Sequence, residues 1–145
     1  GPSGKSGSEY LEELKQTVQD LNLESHIEFL DNLPQTEIRD LLNKSKLLIH
    51  TSKFETFGLV AAEANAMGVP VLTTNSGSLL EIVENSKNGY YSDNLIDGNV
   101  NNFVKELLNN KDKFDEIMIN CLEKSKAYSW ANTATEIENL YKAFA

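Results

Sequence analysis

Two glutamates, Glu55 and Glu63, stand on either side of Phe57-Gly58-Leu59-Val60, and a second glycine loop, Asn75-Ser76-Gly77-Ser78, follows them. Each loop ends at a glycine and leads into a helical pattern. Each therefore offers an anion unpaired backbone N–H groups and the positive end of a helix dipole. From Phe54 to Ser86 there is neither Lys nor Arg. A phosphate bound here would be held by N–H groups and dipoles, helped by Lys53. The carboxylates of Glu55 and Glu63 would repel a bare phosphate, yet they accept strong, charge-assisted hydrogen bonds from vicinal hydroxyls. A sugar nucleotide carries both phosphates and diols. Taken singly, Glu55 reads as a solvated loop carboxylate, Glu63 as a surface helix residue, and Gly58 and Gly77 as plain helix entries.

The elements that must position these residues alternate. Leu11, Leu14, Val18 and Leu21 share one face of a helix over residues 8–22, and Ile27 to Leu30 is strand-sized. Pro34 can open a helix carrying Ile38, Leu41 and Leu42. Leu47 to His50 is apolar without alternation, as in a parallel strand covered on both faces. A helix over 59–67 stops at Gly68, a strand follows at 69–72 with Pro70 near its start, and a short helix is predicted over 79–84. Asn88-Gly89 turns into a last strand at 89–92, and from Val100 onward the pattern is helical. This order predicts an α/β fold, a Rossmann-like parallel sheet with flanking helices and a helical tail. In such a sheet, ligands bind where the carboxyl ends of strands meet the next helices, which is where loops 51–58 and 73–78 fall.

Composition narrows the partners. The chain has 145 residues, 13 Lys+Arg against 22 Asp+Glu, a net charge of −9, and Arg39 as its one arginine. It reads as one domain over 1–145, and its acidity argues against nucleic acid or an anionic membrane as main partner. No stretch approaches the roughly 18 to 20 apolar residues of a transmembrane helix. The single Cys121 excludes an internal disulfide and fits a reducing, cytoplasmic compartment. Cys121 lies on an apolar helical stripe and reads as core, Trp130 as a packing anchor, His50 as a structural histidine at a strand end, and His26 as a turn residue. Gly4-Lys5-Ser6 lacks the strand and first glycine of a P-loop, and Asn43-Lys44-Ser45 has the glycosylation pattern without a sign of secretion.

The spacing Glu55-x7-Glu63, with Phe57-Gly58-Leu59-Val60 inside it and Gly68-x-Pro70-Val71 after it, resembles the E-x7-E signature of retaining GT-B glycosyltransferases of the glycogen-synthase and sucrose-synthase superfamily. The likeness extends over nearly the whole chain. Gly1-Pro2 resembles the glycine turn after the second strand of the donor domain, and Ile27 to Leu30 the "V-x-F-L-G" strand. Asn75 to Val83 resembles the "GG-x-P-E-I-V" loop, and Tyr128-Ser129-Trp130 the "F-S-W" before the closing helices.

The resemblance implies the C-terminal, donor-binding domain of an enzyme that transfers a hexose-type sugar from a nucleoside-diphosphate sugar, such as a UDP-sugar, with retention and without a metal or other cofactor. Glu55 would contact hydroxyls of the transferred sugar and stabilise its oxocarbenium-like transition state. Phe57, Gly58 and Leu59 would present N–H groups to the donor, Glu63 would bind the ribose hydroxyls, and Gly77, Ser78 and Leu79 would lie against the diphosphate. The family's second loop glycine is Ser78 here and its proline is Leu80, and Ala62 and Asn65 stand where Leu and Met are frequent. The resemblance also implies two earlier strands between the strands at 27 and 47, an Arg/Lys phosphate clamp, and an N-terminal acceptor-binding domain through which the protein could sit at a membrane surface. The 145-residue chain is accordingly expected to be marginal alone, to bind nucleoside diphosphates weakly and to transfer no sugar by itself. A non-catalytic α/β binding or scaffolding module, and a sugar-nucleotide epimerase of the same architecture, remain as alternatives.

Overall fold

A computed structural model describes residues 7–144. The positions of Gly1-Pro2 and Gly4-Lys5-Ser6 lie outside them. The chain divides into two compact units, residues 1–34 and 35–145. In the first, α1 (Gly7–Asp20) is the expected amphipathic helix. It ends through Asn22 at φ 55°, with the N–H of Leu23 reaching the carbonyl of Val18. None of its residues is buried.

Ile27 to Leu30, expected as a strand, forms no ladder, and Ile27, Phe29 and Leu30 are exposed. A strand exists through its hydrogen-bonding neighbour, and no described residue supplies one for this segment.

The second unit is built on three parallel strands, β1 (Leu48–His50), β2 (Val71–Thr74) and β3 (Gly89–Ser92), in the order β1-β2-β3. Leu48 faces Val71, and Val71 faces Gly89. Before them lies α2 (Gln35–Lys44); α3 (Leu59–Ala66) joins β1 to β2, and α4 (Leu79–Ile82) joins β2 to β3. Then α5 (Gly98–Asn109), α6 (Lys111–Ser125), a 3-10 turn at Lys126–Tyr128 and α7 (Trp130–Phe144) complete the chain. Asp97 and Asn110 cap α5 and α6, accepting from the N–H groups of Val100 and Lys113.

Both sheet faces are covered, because neighbouring strand residues point to opposite sides. Tyr91 packs with a core of Leu42, Ala61, Ala64, Val71, Leu79 and Ile82 from α2, α3, β2 and α4. Tyr90 packs with Phe103, Leu107, Ile117 and Cys121 from α5 and α6. Cys121 is core as expected, and its thiol is pushed up to about 12 by burial. Trp130 is no packing anchor: it is 88% exposed, and α7 buries none of its residues. Its stripe of Ile137, Leu140, Tyr141 and Phe144 stays exposed among the described residues. No helix among those residues is long and apolar enough to cross a membrane.

Candidate functional site

The loop from β1 to α3 and the loop from β2 to α4 leave adjacent parallel strands at the same end of the sheet. Side chains of β2 fasten the first loop: the Thr73 hydroxyl donates to the carbonyl of His50 (3.0 Å), and that of Thr74 to the carbonyl of Ser52. The Ser52 hydroxyl then donates to the carbonyl of Phe54 (2.9 Å).

Two glycines bring the loops together. Gly58 has φ 69°, and a Cβ there would stand 2.8 Å from Cδ1 of Ile82 and 3.1 Å from Cδ2 of Leu79. The start of α3 thus rests directly on α4. Gly77 has φ 52°, and a Cβ there would stand 2.0 Å from the carbonyl oxygen of Glu55. Only glycine meets both demands, the left-handed angle and the backbone contact. Ser78, in contrast, has an ordinary φ of −65°. Its hydroxyl is buried without a hydrogen-bond partner among the described residues.

Glu55 turns back on its own helix. Oε1 accepts from the N–H of Thr56 (3.0 Å) and of Phe57 (3.2 Å), and Oε2 lies 3.5 Å from Nε2 of His50. The N–H groups of Gly58, Phe57 and Thr56, with the nearby His50, hold the Glu55 carboxyl below the usual glutamate range. The carboxylate itself therefore occupies part of the anion seat before α3. The second loop is also partly self-satisfied: Ser78 N–H approaches the Glu55 carbonyl (3.4 Å) and Leu79 N–H the carbonyl of Ser76 (3.2 Å). Of the donors expected from the sequence, the N–H groups of Phe57, Gly58, Ser78 and Leu79 are thus engaged, while those of Leu59 and Gly77, and of Val60 beside them, have no partner among the described residues. Leu59 and Phe57 expose their side chains beside them.

Glu63 lies one turn further along α3, half-buried. Its Oε1 accepts from the side-chain amide of Gln35 at 2.7 Å. Both line a cavity of about 230 Å³ with Ile38, Arg39, Leu42 and Met67. Arg39 directs its guanidinium to Asp40 (3.2 Å). Sequence reading singled out Glu63 but not Gln35, which lies 28 positions earlier and belongs to no motif. Only the packing of α2 on α3 through Ile38 and Leu42 joins them.

Comparison with known proteins places this arrangement. Along 99% of its length the chain is 31% identical to a D-inositol 3-phosphate glycosyltransferase of Corynebacterium urealyticum, of which it covers 34%. It is 31% identical over 118 residues to a glycosyltransferase of Methanocaldococcus jannaschii, again covering 34% of that protein. The chain thus spans about a third of the length of the curated relatives it matches. Among solved structures, Anabaena HepE in complex with UDP and glucose superposes with a TM-score of 0.81 at 26% identity, over 94% of this chain and 37% of that one. Sucrose-phosphate synthase from Thermosynechococcus elongatus gives 0.80 at 25% identity, over 99% and 36%. The parallel sheet and its helices are those of the C-terminal domain of GT-B glycosyltransferases. Residues 3–124 match the family described as glycosyl transferases group 1, and the chain belongs to that family.

Proposed function

We propose that the chain is the donor-binding domain of a retaining glycosyltransferase that moves a hexose-type sugar from a nucleoside-diphosphate sugar to an acceptor bound by a separate N-terminal domain. The observation that carries this reading is the closure of loop 73–78 on loop 51–58 through Gly77 and Glu55, which sets Glu55 and the start of α3 against the second loop, with Glu63 further along the same helix. Support comes also from HepE, whose structures contain UDP and UDP-glucose.

In this reading Glu55 exchanges its own N–H partners for sugar hydroxyls, and the N–H groups before α3 pass to the donor. The ionised form needed for that exchange is the form its surroundings favour. Glu63 accepts from the ribose diol, while Gly77, Ser78 and Leu79 lie against the diphosphate. Charge on the departing nucleoside diphosphate is met by dipoles rather than by a metal or another cofactor, and the protein works in the cytoplasm.

The test is a titration of the 15N-labelled chain with UDP-glucose, UDP-N-acetylglucosamine, GDP-mannose and ADP-glucose. Millimolar binding with shifts gathered at Glu55, Gly58, Glu63 and Gly77 is expected for one of them, with no sugar transfer by the chain alone. Absence of shifts with every donor would leave the non-catalytic α/β module as the better reading, and oxidation or epimerisation of a donor would favour the epimerase.

A further inference from the structure

We infer that Gln35 is a positioning residue for Glu63, holding its carboxylate for a diol while leaving its charge free. The inference rests on the assignment of Glu63 to the ribose hydroxyls. Gln35 is the first residue of α2, directly after Pro34, whose own φ is fixed by its ring at a helix-compatible value. Ile38 and Leu42 pack α2 into the core shared with Ala61 and Ala64 of α3, so the two helices keep a fixed register. That register places the Gln35 amide 2.7 Å from Glu63 Oε1.

The chemistry of the partner matters. A carboxylate has about four acceptor sites on its two oxygens, and one amide N–H uses a single one. The remaining sites suffice for two adjacent hydroxyls. A lysine or arginine in the same place would pair with the whole charge and compete with the diol. The nearest cation of α2, Arg39, is instead engaged by Asp40, although it lines the same cavity. Gln35 therefore fixes the direction of the glutamate with a neutral donor, and the remaining acceptor sites stay open to hydroxyls.

The experiment compares the tightest binder among UDP, ADP and GDP with its 2′,3′-dideoxy counterpart, on the unaltered chain and on Gln35→Leu, Gln35→Asn and Glu63→Ala. Gln35 is exposed, and thermal melting checks that each variant folds. Gln35→Leu is expected to weaken the ribonucleotide about threefold to tenfold, the worth of one hydrogen bond, and to leave the dideoxy ligand unchanged within about twofold. Gln35→Asn withdraws the amide by one methylene and should give a similar loss, which keeps the test open if the leucine variant misfolds. In the Glu63→Ala background the leucine change should add nothing. If Glu63→Ala separates the two ligands and neither Gln35 variant does, the positioning role is refuted while the ribose assignment stands. If Glu63→Ala does not separate them, or no nucleotide binds, the ribose assignment and the inference fall together.

Discussion

Replacing Gly77 by alanine tests the contact on which the site is built. An alanine Cβ would stand 2.0 Å from the carbonyl oxygen of Glu55, where real Cβ atoms keep at least 3.0 Å. One of the two loops must then move by about 1 Å, and the obstacle is backbone, so no rotamer change relieves it. Gly68→Ala is the control, because it pays the same kind of angular cost. Gly68 has φ 72°, but its Cβ would meet side chains and no backbone, Met118 Cγ at 2.9 Å and Leu122 Cγ at an ordinary 3.7 Å. The left-handed angle costs alanine about 1–2 kcal/mol at either site. At Gly77 the backbone clash adds about 1–3 kcal/mol, the usual cost of forcing atoms into a packed contact. With about 2–4 °C of melting temperature per kcal/mol for a chain of this size, Gly77→Ala should melt roughly 4–20 °C below the unaltered chain and clearly below Gly68→Ala. Amide resonances of residues 55–58 should shift in Gly77→Ala alone, and donor binding should weaken with them. Equal melting of the two variants, or unmoved amides at 55–58, would refute the rigid contact between the loops.

Three further outcomes follow from groups outside the loops. Asn65 is fully buried with both side-chain amide atoms lacking a partner among the described residues, so Asn65→Met should stabilise by about 1–2 kcal/mol, and a loss of stability in the melt would reveal a hidden partner. Glu84, bonded to Lys124 (2.9 Å) and Lys87 (2.7 Å), has its carboxyl lowered to about 2 from 4.5 by these lysines. Its contribution is therefore complete above pH 4.5 and lost as the pH falls towards 2; Glu84→Gln should flatten that part of the acid-unfolding curve. At 41% side-chain exposure the pair is screened, so the loss near neutrality should stay below about 1 kcal/mol. The Cys121 thiol, raised to about 12, should resist alkylation at pH 8 in the native chain and react at once in denaturant. Rapid native-state labelling would show that α6 opens readily.

Legibility from sequence followed how local each signal was. The alternation of α3, β2, α4 and β3 could be read because each element carries its own pattern and stop, as with Gly68 after α3 and Asn88-Gly89 before β3. Residues 27–30 could not, since four apolar-rich residues state a preference but a strand also needs a neighbour. Trp130 failed for a related reason: size argues for burial only where another surface covers it, and among the described residues nothing buries a side chain of α7.

The same distinction separates the two glutamates. Glu55 and its loop glycines were visible because a glycine ending a loop before a helical pattern marks a helix entry, and a helix entry offers donors, both local facts. What the sequence did not disclose is that the carboxylate would fill those donors itself, with His50 behind it. An anion seat at a helix start is costly to leave empty, and a flexible glutamate two or three residues ahead is the nearest anion available. A donor entering this site would therefore not fill a vacancy but displace a resident carboxylate. The displaced Glu55 must find new hydrogen bonds, and the hydroxyls of a sugar are acceptable replacements. The acidity that sets this chain apart from binders of bare polyanions is thus compatible with a diphosphate ligand, provided the ligand brings the hydroxyls that the carboxylates require.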